Sequence, residues 1–135
     1  MKASSTSFRA ACLFALCGLG MGIGMAASQD HSLMPAHAHL NLLGWVSLFL
    51  FGVYYRLHPA LEASRLAMTQ IVVWCVGTAF LTIAVAALHL GYAAFEPVAA
   101  VSSLLVFGAL ALFTLLVFRS GKLAQSVTPA MTAAE

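Results

Sequence analysis

Four apolar runs, at residues 10–27, 36–57, 68–90 and 98–118, leave this chain few ways to fold. Each is near the roughly 20 residues that a helix needs to cross the hydrocarbon core of a bilayer. Backbone groups find no water there, so the runs must be helices or a closed barrel, and the alternating apolarity of barrel strands is absent. The sequence therefore predicts an all-α, four-helix transmembrane bundle over residues 1–121, with a short disordered tail at 122–135. Composition agrees, because only 7% of the residues are charged where a soluble domain carries about a quarter. Pro35, Pro59 and Pro97 fall in the polar breaks "SQDHSLMP", "RLHPALEASR" and "FEP", where helices should start or stop.

The cationic residues orient the bundle. With a cytoplasmic N-terminus, Lys2, Arg9, Arg56, Arg65, Arg119 and Lys122 all fall on the cytoplasmic side, leaving Asp30 and Glu96 as the charged residues outside. That obeys the positive-inside rule and puts both termini in the cytoplasm, as in a bacterial-type inner membrane protein. A second reading of the first run is a cleaved signal peptide, with "MKASSTSFR" as its charged region and "GMAAS" as its cleavage site. It would leave three spans with the same sidedness. A net charge of +2, with no basic run and no phosphate-type glycine loop, excludes nucleic acid and makes the bilayer the first partner.

The second run opens with "MPAHAHLNLLGW", which carries ionisable rings into an apolar segment. His37 at the outer end of the second span and His89 at the outer end of the third share one membrane face. Steps of three and four from His37 give Asn41, Gly44, Leu48, Gly52 and Tyr55, a mostly small or polar stripe expected to face the bundle interior. His39 points the other way with Leu43, Val46 and Leu50, toward lipid. His89 shares a face with Thr82 and Thr78. Ionisable residues are costly inside membranes and usually functional, and two imidazoles from facing helices can occupy both axial positions of a haem iron. Asn41 is placed to orient the free ring nitrogen of His37, and Gly44 and Trp45 to border the cofactor.

From His37 the chain reads H-A-H-L-N-L-L-G-W, followed by Gly52, Tyr54, Tyr55, Leu57 and Pro59. This resembles the second transmembrane helix of the catalytic subunit of heme-copper oxidases and their nitric oxide reductase relatives. There a histidine near the outer end ligates the low-spin haem, and a glycine, aromatics, a leucine and a proline follow at similar spacing. The resemblance covers roughly the first two spans and implies that His37 is a ligand of haem b, toward the periplasmic face. The family's other histidines, for copper and a second haem, have no counterparts here, so oxygen reduction by this chain alone is not expected.

Three functional expectations follow. The first is a haem b-binding membrane protein in respiratory electron transfer, as a homo-oligomer or as a subunit of a larger oxidase-like complex, with His37 and His89 as axial ligands. The second is an outer-face copper-binding or copper-delivery protein using His31, Met34, His37 and His39, since imidazole and thioether suit copper. The third is a structural or assembly subunit without a cofactor. Other features read as packing: Cys12, Cys17 and Cys75 imply neither disulfide nor metal, and "GLGMGIG" holds two small-xxx-small pairs that let a neighbouring helix approach.

Overall fold

Each break in apolarity ends a helix by an identifiable device. The computed structural model describes residues 2–132, with side-chain surroundings through Ser120. Helix α1 (Ala3–Ser28) closes on Gln29, whose φ is 57°. Pro35 sits in the first turn of α2 (Met34–His39), and Pro59 begins the short α4 (Pro59–Glu62). Helix α5 (Arg65–His89) starts at Ser64, whose hydroxyl accepts from the Leu66 and Ala67 amides. It ends at Gly91, where a φ of 92° lets Gly91 and Tyr92 donate back to Leu88 and Ala87. A 3-10 turn (Ala93–Phe95) leads into α6 (Glu96–Thr132), with Pro97 in its first turn. Helix α6 thus runs through residues 122–132, which the sequence assigns to a tail; 133–135 lie outside the described residues.

Among the described residues there are no strands. Four stretches are long and apolar enough to cross a membrane: Ala3–Ser28, Met34–Leu57, Arg65–His89 and Ala93–Ser120. The first begins before residue 10 because Ser4 and Ser7, polar in sequence, are buried against later elements.

The second span departs from the regular helix expected. Between α2 and α3 (Leu48–Leu57) lies a π-helical segment, Leu40–Ser47. Four residues advance a regular helix by about 400°, so a row at every fourth position drifts about 40° per step. Here Ala36, Leu40, Gly44, Leu48 and Gly52 are all buried, and the wider π turns keep that row against its neighbours. Side chains satisfy carbonyls along this stretch: Trp74 Nε1 donates to Leu43 at 2.9 Å, Ser47 Oγ to Leu42 at 2.8 Å and Ser7 Oγ to Leu48 at 2.6 Å. In lipid no water could do this, so the irregular backbone depends on these donors.

The spans pack in chain order, α1 along the second span, the second span on α5, and α5 on α6. The apolar core gathers in the half of the bundle that holds Tyr55, Ile71 and Leu116. Phe51 is its hub, edge-on to Trp74 at 4.8 Å and tilted against Phe113 at 4.4 Å. The histidine-bearing half is held differently, by a groove and hydrogen bonds.

Candidate functional site

His37 and Asn41 lie one turn apart, across from Gly22 and Gly18 of α1. The His37 ring donates from Nδ1 to the Gly18 carbonyl at 3.0 Å, an interhelical bond inside the span. A Cβ on Gly22 would come within 3.1 Å of His37 Cε1, and one on Gly18 within 2.6 Å of Asn41 Oδ1. The glycines are therefore the groove that receives the two polar side chains. Asn41 Nδ2 donates to the His37 carbonyl at 2.9 Å and lies 3.4 Å from His37 Nε2, at the long end of hydrogen-bond reach. The stripe read from the sequence does face protein, but its protein is α1.

His89 is the last residue of α5 and is exposed, its Nδ1 donating to the Val85 carbonyl at 2.8 Å. Tyr55 with Gln70, Leu43 with Trp74, and His39 with Leu81 set the antiparallel register of these spans. By that register His37 lies roughly two turns deeper than His89. The two rings stand on different sides of the second span: His37 against α1, His89 at the C-terminal tip of α5.

His39 differs from its expected lipid-facing position. It is half-buried and, with Ala38, Leu42, Leu43 and Leu81, lines a cavity of about 240 Å³ between the second span and α5. Its Nδ1 donates to the Pro35 carbonyl at 2.7 Å, leaving Nε2 unengaged by that bond. The cause is architectural: the second span is sandwiched between α1 and α5, so two of its faces are covered. Gly44 is buried beneath Phe14, whose Cγ would lie 2.7 Å from an added Cβ, and this leaves no room there for a cofactor. Trp45, expected to wall the site, is 46% exposed and faces outward with Phe49.

The copper set is not gathered. His31 is exposed and bonded through Nδ1 to the Gln29 carbonyl at 3.2 Å, Met34 is exposed, and His37 and His39 face different helices. Among the described residues no group of three or more His, Cys, Asp or Glu stands close enough to hold a metal ion. His58, at the other end of the bundle, stacks on Tyr54 at 4.1 Å.

Sequence reasoning missed the seat of His37. The signal was present, because Gly18-xxx-Gly22 has the same spacing as His37-xxx-Asn41 and the two segments run antiparallel. No known family, no curated protein and no solved structure matches the chain.

Proposed function

We propose that the chain is a multi-pass protein of a bacterial-type inner membrane that binds a b-type haem toward its outer face and serves respiratory electron transfer, alone or within a larger oxidase-like complex. One observation carries this reading: His37 is an imidazole held within a span through Nδ1, bonded to the carbonyl of another helix. A haem-ligating histidine is fixed in this way, through its other nitrogen, with Nε2 presented to iron. The resemblance of "HAHLNLLGW" to the oxidase low-spin haem helix supports the same residue. The first span belongs to the functional protein in this reading, since it supplies the Gly18 carbonyl and the groove.

The donors fit haem iron in kind, and His37 with His89 would hold it. When bound, the iron supplies one-electron transfer. The chain's own contribution is to fix the imidazole tautomer, exclude water with apolar spans and keep the site away from the cationic end. As a pair the rings are open, since His37 rests in the α1 groove and His89 is exposed. Ligation of one iron by both requires each to turn toward the other.

A second reading, a structural subunit without a cofactor, is favoured by that same seat, because the His37 bond to Gly18 already joins two helices. Reduced absorption spectra of the wild type, His37→Ala, His39→Ala and His89→Ala, purified in mild detergent at equal protein concentration, separate the two. Haem binding is expected to give a low-spin spectrum that is lost with His37 or His89 and kept with His39→Ala. A wild type without haem overturns the haem reading; loss with His39→Ala and survival of His89→Ala overturns the ligand pair.

A further inference from the structure

Every histidine of this chain places Nδ1 on a backbone carbonyl, which only accepts, so each ring carries a proton there. In a neutral imidazole this leaves a lone pair on Nε2. His31 and His58 lie outside the spans and His89 is the exposed last residue of α5, so water reaches all three. His37 Nε2 faces the Asn41 amide. His39 is different: its Nε2 stands inside a span without a partner among the described residues. Unlike the unpaired Gln70 Nε2, Thr78 Oγ1 and Thr82 Oγ1, which are buried, it is open at the cavity its ring lines.

That cavity, of about 240 Å³, has Leu81 at its floor, 7% exposed, and Leu42 at its rim, 60% exposed, so it opens sideways on the surface that meets lipid. Leu81 lies eight residues inward from His89, which sets the groove about 12 Å below the end of α5. An acceptor there meets no donor, because acyl chains offer none, phospholipid esters only accept, and the bilayer core holds no water. A polar atom left unpaired in an apolar setting carries a desolvation cost, so a lipid-soluble molecule that brings a donor is favoured. The other walls, Ala38 and Leu43, are apolar like Leu42 and Leu81, so the ligand offers one hydroxyl on an apolar body. The volume is below the roughly 300 Å³ at which pockets for drug-sized ligands begin, so it takes a single ring and leaves a tail in lipid. A phenolic hydroxyl, more acidic than an alcohol, is the stronger donor to imidazole.

We infer that the groove between the second span and α5 binds the ring of a membrane-soluble hydroquinone, whose hydroxyl donates to His39 Nε2. The oxidised quinone has carbonyls alone, which cannot donate, so the site selects the reduced form. It is separate from the seat of His37 and holds whether or not haem is bound.

The test is 15N NMR of the intact, histidine-labelled chain in phosphatidylcholine nanodiscs without oxygen, with His39→Ala identifying the resonance. A decyl-tailed hydroquinone, the corresponding quinone and decanol are titrated in parallel. The hydroquinone should move the His39 Nε2 signal saturably and leave the other histidines unmoved, at a concentration roughly tenfold below either comparison compound, the worth of one hydrogen bond. Ala38→Phe and Leu42→Trp, at half-buried and exposed positions, fill the groove from two sides and should each abolish the shift. No saturable shift in the wild type, an equal response to quinone or decanol, or a shift that survives both fillings overturns the inference. So does magnetisation transfer from water to Nε2 in lipid alone, since the acceptor is then already satisfied.

Discussion

Glu62 shows how one side chain ties distant parts of this chain together. Although it lies in a short loop helix, it is buried, and its carboxylate accepts from the Ser4 hydroxyl. Arg56 Nη1 stands 3.5 Å and Lys2 Nζ 4.0 Å away. The Ser4 bond, helped by the Lys2 and Arg56 charges against the opposing effect of burial, holds its carboxyl below the ordinary value of 4.5. A depressed carboxylate stabilises the fold at neutral pH, and this contribution is lost as pH falls below about 4.5 and through the folded value. Thermal melts across that acid range should show the wild type losing stability and Glu62→Gln, weaker at neutral pH, showing a flatter dependence. Equal pH profiles would remove Glu62 from this role. The sequence did not disclose the pairing, because Ser4 and Glu62 are 58 positions apart and a lone glutamate in a cationic loop has several possible partners. His37 was legible as an inward residue because its row is small and polar; its partner was not, since phase gives a direction and not the neighbour that lies in it.

At the scale of elements, α1 and the second span fit as reciprocal small and large residues. Gly22 takes His37, Gly18 takes Asn41, Phe14 lies on Gly44, and Phe8 lies on Gly52. Without a hydrophobic drive between helices in lipid, such close packing and the bonds from Ser7 and His37 are what join them. Gly44→Ala would press a methyl to within 2.8 Å of Phe14 Cβ, near its backbone and unable to swing aside. Overpacking of this kind costs about 1–3 kcal/mol. Gly20→Ala, with nothing within 4 Å, should be neutral or slightly stabilising. Thermal midpoints of the two variants in one detergent check the contrast, and equal midpoints would remove the interlock. The "GLGMGIG" pattern forecast a close helix approach, and two of its four glycines provide it. The π-helical segment was not legible, because "LNLLGWVS" contains nothing that demands a wider turn. Its support comes from Trp74, a residue on another helix.

For the whole molecule, the number of spans was legible because lipid imposes a length on every crossing helix, whereas the inward faces were not. Only 17% to 44% of the most apolar window of each span is buried, so hydropathy here records mainly contact with lipid, which is as apolar as a protein core. Charge carries the remaining global information. The contacts of Lys2 and Arg56 with Glu62, and of Tyr54 with Ser120 at 2.6 Å, gather the start of α1, the end of α3 and the later part of α6 at one end of the bundle. Arg65 opens α5 at that same end, while Asp30 lies beyond α1 at the opposite one. The positive-inside rule assigns the cationic end to the cytoplasm, because lysines and arginines near the ends of spans resist translocation. A reporter fused after Lys122 should therefore be active as a cytoplasmic fusion, and one inserted between Ser28 and Met34 as an external fusion. Three spans, an odd number, separate the two reporters, so the results are interdependent: if the C-terminal reporter faces outward while the insertion remains external, a span has failed to cross. If both reverse, the bundle crosses as drawn but inverted, and the His37 groove then belongs to the cytoplasmic leaflet.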